Sequence, residues 1–166
     1  LWAGADPNAS ASVAPVDSGA AVQAVDAQAQ QQRRREIVFV DAAVPDAQKL
    51  IDGILAQRSD SADIEVVQLR GDSNGLQQIS DVLAGEHDID AVHIVSHGES
   101  GRLWLGNGLV DVRALQQHGG FGAWQGALEA DADVLLWGCN VADGAAGQAF
   151  VEQFAAATGA DVAAST

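Results

Sequence analysis

Residues 37–69 read IVFVDAAVPDAQKLIDGILAQRSDSADIEVVQL, and this stretch decides the class of the fold. It begins with a short apolar β-branched run, IVFV (37–40), which is typical of a buried strand. The segment 45–58 has apolar residues at helical spacing and places Pro45 where a helix would begin. A second β-branched run, IEVVQL (64–69), completes a strand–helix–strand unit. Such a unit predicts two parallel strands joined by a crossover helix.

The same alternation of strands and helices continues along the chain. The further predicted elements are, in chain order, a helix over 74–84, a strand over 91–96, a hairpin over 102–110, two short helical stretches beside Gly119 and Gly120, a strand over 133–138, a helix over 144–159 and a strand over 161–165. The hairpin is expected to turn at Asn107 and Gly108, and Gly159 to end the long helix. This order predicts a mostly parallel sheet covered on both faces, which is a three-layer α/β sandwich.

Composition excludes several classes of protein. The chain has 166 residues, which suits one ordinary domain, and its formal net charge is −15. A chain this acidic cannot build the basic face that nucleic acid binding needs. No apolar run approaches the roughly 20 residues of a bilayer-spanning helix, so membrane insertion is not expected either. The one cysteine, Cys139, excludes an internal disulfide and any zinc site with several cysteines.

The chain divides once, before the first strand. Residues 1–36 are rich in Ala, Gln, Ser and Asp and show neither helical nor strand periodicity, so they are interpreted as a disordered linker. The folded domain is predicted to cover 37–166. The basic run Arg33, Arg34 and Arg35 is interpreted as a solvated or protease-sensitive junction.

Reactive side chains follow three of the predicted strands. Asp41 ends the first strand, His97 the third and Cys139 the fourth. Sites in open α/β sheets form beyond the carboxyl ends of the strands, so a thiol and an imidazole there suit nucleophilic catalysis. The backbone amides of Gly98 and Cys139 would stabilise an oxyanion. The alternative is that Cys139 is a buried small hydrophobic residue and His97 a turn residue.

Two motifs carry a resemblance to a known superfamily. AVHIVSHG (91–98) and VLLWGCN (134–140) resemble the apolar strands of caspase-like (clan CD) cysteine peptidases, which end in His-Gly and in a small residue followed by Cys. RLWLG and ADGAAGQAF are similar to segments of the bacterial CHAT-type branch. More narrowly, REIVFVDAAVPD, DIDAVHIVSHGESGRLWLG and ADVLLWGCNVADGAAG resemble the DUF4347 family of large bacterial surface or secreted proteins.

The resemblance implies a role for each matching residue. It makes His97 the acid/base and Cys139 the nucleophile, with Gly98 supporting the oxyanion hole. Branches that cleave after Arg or Lys often have an acid two positions before the Cys, where this chain has Trp137. A basic-residue preference would then depend on another acid, such as Asp41. Trp104, Trp124 and Trp137 are further pocket candidates, and Trp104, on the hairpin near His97, is the best placed of them.

The resemblance also implies a setting. The protein would be secreted or at the cell surface as part of a larger bacterial protein, although the composition also suits the cytoplasm. Its partner would be a peptide segment or the parent polypeptide. The superfamily sheet continues past a fifth strand, so the domain is expected to lack its carboxyl-terminal part, which a second fragment would supply.

Other sites are less favoured by the sequence. His93 and His97 have metal-chelating spacing only on a helix, and on a strand they would lie roughly 13 Å apart, so no metal site is predicted. The acidic residues are dispersed and form no EF-hand, which allows at most weak calcium binding. The spacing of Gly98, Gly101 and Gly106 matches no phosphate loop, and a Lys for a phospho-receiver site is missing at the fifth strand.

Two functions therefore stand as hypotheses. The first is a cysteine-peptidase-like module that uses Cys139 and His97 for acyl transfer, with its own parent protein as a substrate. The second is a non-catalytic module of the same fold that acts as a cap, retention or interaction element near the amino end of a large adhesin-type protein. Thiol reactivity discriminates them, because a dyad cysteine reacts quickly near neutral pH and a buried structural one does not.

Overall fold

The computed structural model describes residues 33–57 and 62–166. The described strands are β1 (Arg34–Val40), β2 (Ala62–Gln68), β3 (Ile89–Val95), β4 (Gly98–Glu99), β5 (Arg102–Leu105), β6 (Gly108–Val110), β7 (Leu128–Trp137) and β8 (Asp161–Ala164). The described helices are α1 (Ala47–Gln57), α2 (Gly75–Leu83), α3 (Val112–Gln117), α4 (Phe121–Ala127) and α5 (Gly144–Thr158). This is the α/β class that the sequence predicted.

The central sheet has five parallel strands in the order β2-β1-β3-β7-β8. The chain moves from β1 to β2 in one direction and then returns past β1 to β3, so the winding reverses between β1 and β3. In open α/β sheets, ligands bind in the crevice at the carboxyl ends of the strands where this reversal occurs. The residues that follow β1 and β3 are therefore the first place to look for a site.

Alternating residues of β1 enter two separate cores. Ile37 and Phe39 of β1 join the larger core. Its helical members come from α2, α3, α4 and α5 and are Leu76, Ile79, Leu83, Leu115, Phe121, Trp124, Ala127, Phe150 and Phe154. Val38 and Val40 belong instead to a smaller core with Ile51 and Ile54 of α1. The sheet is thus the middle layer of a three-layer α/β sandwich, as predicted.

The face under α1 is covered only in part. Leu135 on β7 is half-buried, Ala163 on β8 is exposed, and Trp137 is 36% exposed. These residues and Leu136, Ala164 and Ser165 line a shallow apolar hollow of about 240 Å³. The hollow lies at the carboxyl end of β7, next to the turn that contains Cys139.

The start of β7 and the turn of the hairpin differ from the prediction. Strand β7 begins at Leu128 rather than at 133, because the first residues, LEADA, lack the apolar run that marks a strand; the ladder is irregular between Ile89 and Ala91. The hairpin turns at Gly106 and Asn107, not at Asn107 and Gly108. Gly106 takes the positive φ of +64°, while Gly108 pairs with Leu105 in the ladder.

The first strand also begins earlier than expected. Residues 34–36, which the sequence placed in the linker, belong to β1. The buried Glu36 is hydrogen-bonded to His93, and Arg35 bonds Glu86 and the His87 carbonyl. Polar partners on the sheet therefore extend the strand beyond its apolar run. The rest of the predicted linker, 1–32, lies outside the described residues.

A buried polar contact joins α2 to the loop between α3 and α4. The Ser80 hydroxyl donates to the Leu76 carbonyl and accepts from the Trp124 indole. His118 Nε2 lies 2.7 Å from the same oxygen, so this nitrogen carries the hydrogen and donates it. Burial lowers the pKa of His118, and the Asp81 carboxylate opposes part of that shift.

The lowered pKa predicts a pH-dependent stability. The folded protein takes up this proton at lower pH than the unfolded chain, so the free energy of unfolding falls as the pH drops below about 6.5, the ordinary value for histidine. His118→Gln keeps an N–H donor but does not titrate, and we expect a smaller loss of stability between pH 7 and pH 5. Urea unfolding at several pH values measures this, with His87→Gln as the control. Equal pH dependence in the wild type and His118→Gln would contradict it.

Candidate functional site

Strands β3 and β7 place His97 and Cys139 side by side. Val95 pairs with Trp137 in the parallel ladder, and the Ser96 amide donates to the Trp137 carbonyl at 3.2 Å. His97 and Cys139 each lie two residues beyond that pair. Neighbouring strands are about 4.8 Å apart, so the two residues leave the sheet one strand spacing from each other.

The loops that follow the two strands are joined backbone to backbone. The Gly101 amide donates to the Val141 carbonyl at 3.0 Å, and the Ser100 hydroxyl donates to the Asp143 carbonyl. On the other side of β7, the Ser165 hydroxyl donates to the Gly138 carbonyl, and the Ser165 backbone carbonyl accepts from the Ala142 amide. The turn that contains Cys139 is thus fixed from both sides.

Two glycines allow this close approach. A Cβ on Gly98 would lie 2.5 Å from Val141 Cγ2 and 3.3 Å from the Cys139 carbonyl oxygen. A Cβ on Gly138 would lie 3.0 Å from Val141 Cγ2 and 3.3 Å from the Ser96 carbonyl oxygen. Because Val141 is completely buried, it has little room to move. The glycines beside His97 and Cys139 are therefore required by packing.

His97 is exposed, and one of its ring nitrogens is already committed. Its Nε2 lies 3.1 Å from the Ala43 carbonyl oxygen. A carbonyl can only accept, so in the neutral ring Nε2 carries the hydrogen and Nδ1 is bare. The bond crosses the crevice between β1 and β3. It fixes the ring and leaves Nδ1 as the nitrogen able to take a proton.

Cys139 is an exposed free thiol, so the alternative of a buried structural cysteine does not hold. Among the described residues, no hydrogen bond joins Cys139 to His97, and the imidazole is bonded to Ala43 instead. Catalytic hydrogen bonds are often long or unformed before substrate binds. The arrangement brings thiol and imidazole to adjacent strand ends without yet joining them.

The predicted oxyanion donors lie in the same two loops. The Trp104 amide donates to the His97 carbonyl at 2.9 Å. In an antiparallel ladder hydrogen-bonded and non-hydrogen-bonded pairs alternate, so the next pair, Gly98 and Leu103, is not hydrogen-bonded. The Gly98 N–H therefore makes no bond to β5. Cys139 lies in the turn after β7, and its N–H makes no backbone hydrogen bond within the described part of the chain. Both amides are thus available to a ligand.

Asp41 is buried and holds the loop that orients His97. Its carboxylate accepts from the Ala43 amide at 3.1 Å and from the Gly106 amide at 2.6 Å. Both bonds go to backbone, so this carboxylate is not presented to a substrate as a pocket acid. It fixes the residue whose carbonyl holds the His97 ring.

The two tryptophans predicted to line a pocket are both exposed. Trp104 is 46% exposed on β5 and is tied to His97 through its backbone amide. Trp137 lines the apolar hollow beside the Cys139 turn. Trp124, the third candidate, is completely buried in the larger core. Of the three, only Trp137 combines exposure with a concave surface.

One group of residues at the site was missed by the sequence analysis. The Trp137 indole donates to His93 Nδ1 at 3.0 Å, and His93 Nε2 lies 2.8 Å from Glu36 Oε1. The sequence favours a packed or supporting role for His93 over that of a metal ligand, and it places Glu36 in the linker. No local pattern reveals the group, because Glu36, His93 and Trp137 lie on three adjacent strands that are far apart along the chain.

The described residues contain neither a metal-binding cluster nor a helix that could span a membrane. Within 33–57 and 62–166, no group of three or more His, Cys, Asp or Glu side chains is placed to hold a metal ion. Asp60, one of the acids considered for weak calcium binding, lies outside those residues. No described helix is both long and apolar enough to cross a bilayer.

Comparison with known proteins gives one match. A family model described as "Domain of unknown function (DUF4347)" matches residues 37–166. This span runs from the apolar part of β1 to the last residue and contains both His97 and Cys139. No curated protein matches the chain.

The packing of Gly98 predicts the effect of a single methyl group. Gly98→Ala forces Val141 against the turn, and we expect it to reduce the free energy of unfolding by about 1–3 kcal/mol. In a Val141→Ala background, Gly98→Ala should reduce the free energy of unfolding by at least about 0.5 kcal/mol less than in the wild type, because Val141→Ala removes the clashing atom. Urea unfolding of the two single variants and the double variant measures both quantities.

The matched control is Gly108→Ala, where a Cβ would meet no atom within 4 Å. It should change stability by no more than about 0.5 kcal/mol. Equal costs at positions 98 and 108 would show that the two loops are not packed as described.

Proposed function

The chain belongs to the DUF4347 family, and we propose that the site at the ends of β3 and β7 makes it a cysteine peptidase that acts by acyl transfer. One observation carries the proposal. His97 and Cys139 leave adjacent strands in register, and both loops are fixed backbone to backbone. Covalent catalysis needs a nucleophile and a base that can reach each other, and the position of an exposed thiol and an exposed imidazole at adjacent strand ends supports this pairing.

The first step forms the nucleophile. The Cys139 thiol gives its proton to His97 Nδ1, the nitrogen that the bond to Ala43 leaves bare. The resulting imidazolium keeps its Nε2–H on the Ala43 carbonyl, which stabilises the positive charge. The thiolate then attacks the carbonyl carbon of a peptide bond.

The following steps use the two backbone amides. The carbonyl oxygen of the substrate becomes an oxyanion and accepts from the N–H groups of Gly98 and Cys139. When the intermediate collapses, the C–N bond breaks and His97 gives its proton to the leaving amine. A water molecule then loses a proton to His97 and attacks the thioester, which releases the acid and restores the thiol.

The surroundings of Cys139 suggest the class of substrate. The hollow beside it is lined by Leu135, Trp137 and Ala163 and by the ends of β7 and β8. The nearest candidate acid, Asp41, is engaged by backbone amides. The proposed substrate is therefore a peptide with an apolar side chain, not a basic one, before the bond that is cleaved.

The wider setting remains part of the proposal. The motifs around His97 and Cys139 suggest a caspase-like enzyme, and the resemblance suggests that its substrate is a segment of the larger secreted or surface protein that carries it. The competing proposal is a non-catalytic module of the same fold. Reactivity of the thiol separates the two.

The proposal predicts that Cys139 reacts faster than an ordinary thiol. Because it is the one cysteine, iodoacetamide reports on it alone. At pH 6 to 7 we expect alkylation to be at least about 10-fold faster than that of a short cysteine peptide, since proton transfer to His97 makes thiolate. Replacement of the imidazole in His97→Gln should remove most of this difference. Mass spectrometry of the intact protein over time gives the rates.

Two controls make the result decisive. Cys139→Ala should take up no label. His87 is an exposed histidine in the loop before β3, and His87→Gln should alkylate like the wild type. Equal rates for the wild type and His97→Gln would contradict the dyad and favour the non-catalytic module.

A further inference from the structure

Trp137 is held in place by a polar chain buried within the sheet. Its indole N–H donates to His93 Nδ1 at 3.0 Å, and the two rings stack with centroids 6.1 Å apart and an interplanar angle of 18°. On its other side, His93 Nε2 lies 2.8 Å from Glu36 Oε1. These three hydrogen-bonded side chains lie on adjacent strands, Trp137 on β7, His93 on β3 and Glu36 on β1.

The donor in this chain fixes the tautomer of His93. An indole nitrogen can only donate, so Nδ1 of His93 is an acceptor and bears no hydrogen. Nε2 then carries the hydrogen and donates it to the Glu36 carboxylate. Only this tautomer satisfies both contacts, and it aligns the imidazole with the indole that it supports.

The location of this chain argues for a role beyond stability. The side chains of His93 and Glu36 are completely buried, and Arg34 lies 3.8 Å from Glu36 Oε2. Apolar side chains of the same shape commonly stabilise a core as well as buried polar or charged pairs do. A partly exposed tryptophan, in contrast, needs a directional contact if it is to keep one orientation. The hydrogen bond from the Trp137 indole to His93 supplies that contact at the wall of the hollow beside Cys139.

We infer that His93 is a positioning residue that, through Trp137, sets the preference of the site for peptides with a large apolar side chain before the cleaved bond. This inference rests on the proposed function, because it assigns a substrate class to the same site. Loss of the His93–Trp137 bond would leave the indole able to rotate across the hollow and obstruct it.

Two substitutions at position 93 separate the two contacts of the imidazole. The Oδ1 atom of asparagine occupies the place of Nδ1, so His93→Asn keeps an acceptor for the indole. The side-chain amide of glutamine reaches the place of Nε2, so His93→Gln keeps the donor to Glu36 and loses the acceptor. Trp137→Phe keeps an aromatic ring and lacks the N–H; because Trp137 is partly exposed, this variant is expected to fold.

The first measurement does not depend on catalysis. The chain has four tryptophans, and the indole signal that disappears from the ¹H–¹⁵N spectrum in Trp137→Phe identifies Trp137. We expect exchange of this indole hydrogen with solvent to be at least about 10-fold faster in His93→Gln than in the wild type. In His93→Asn it should remain within about 3-fold of the wild type. Unchanged exchange in His93→Gln would overturn the inference.

The second measurement tests the preference. Peptidyl chloromethyl ketones with Leu, Phe, Ala or Arg next to the reactive group alkylate Cys139, and their second-order rate constants are compared. The wild type should react faster with the Leu and Phe reagents than with the Ala reagent. This ratio of rate constants should fall about 10-fold in His93→Gln and stay unchanged in His93→Asn. In the Trp137→Phe background, His93→Gln should cause no further loss, because its effect passes through the indole.

The outcomes distinguish the two proposals. A wild type that reacts with none of these reagents faster than a cysteine peptide would contradict the peptidase, and with it the assigned preference. A reactive wild type whose preference is the same in His93→Gln would contradict only the positioning role. Loss of preference in both position-93 variants, with the indole still protected in His93→Asn, would also overturn it.

Discussion

The parallel pairing of β3 with β7 is the constraint on which the site depends. Its register sets Val95 opposite Trp137, and the loops beyond those residues are then joined by hydrogen bonds between their backbones. A shift of one residue would turn either His97 or Cys139 to the opposite face. This arrangement requires glycine at positions 98 and 138, since a side chain at either position would push apart the loops that follow β3 and β7.

Buried polar groups position the exposed ones. Asp41 holds the loop whose Ala43 carbonyl fixes the His97 ring, and Glu36 with His93 holds the Trp137 indole. In each case a carboxylate with little or no exposure accepts from at least one N–H donor, which offsets part of the cost of its burial. The reactive side chains themselves lie at the surface, where a peptide can reach them.

The sequence predicts the fold and the position of the candidate site residues His97 and Cys139 at strand ends. The β-branched runs predicted the central strands because parallel strands are buried on both faces, and His97 and Cys139 followed from their places at the ends of two such runs. Glu36 could not be found this way, since its partner His93 is 57 residues away along the chain. Nor could the sequence show that Asp41 is engaged by the Gly106 amide rather than open to a substrate.

The central claim is that Cys139, His97 and the two backbone amides act on one carbonyl group. A crystal structure of the protein inactivated by a peptide aldehyde with a terminal leucine aldehyde tests it most directly. The account predicts a hemithioacetal on Cys139 whose oxygen lies within about 3.2 Å of the Gly98 or Cys139 nitrogen, with His97 Nδ1 facing the sulfur and the leucine side chain against Trp137. An adduct oxygen bonded to neither amide, or a Cys139 that forms no adduct, would contradict it.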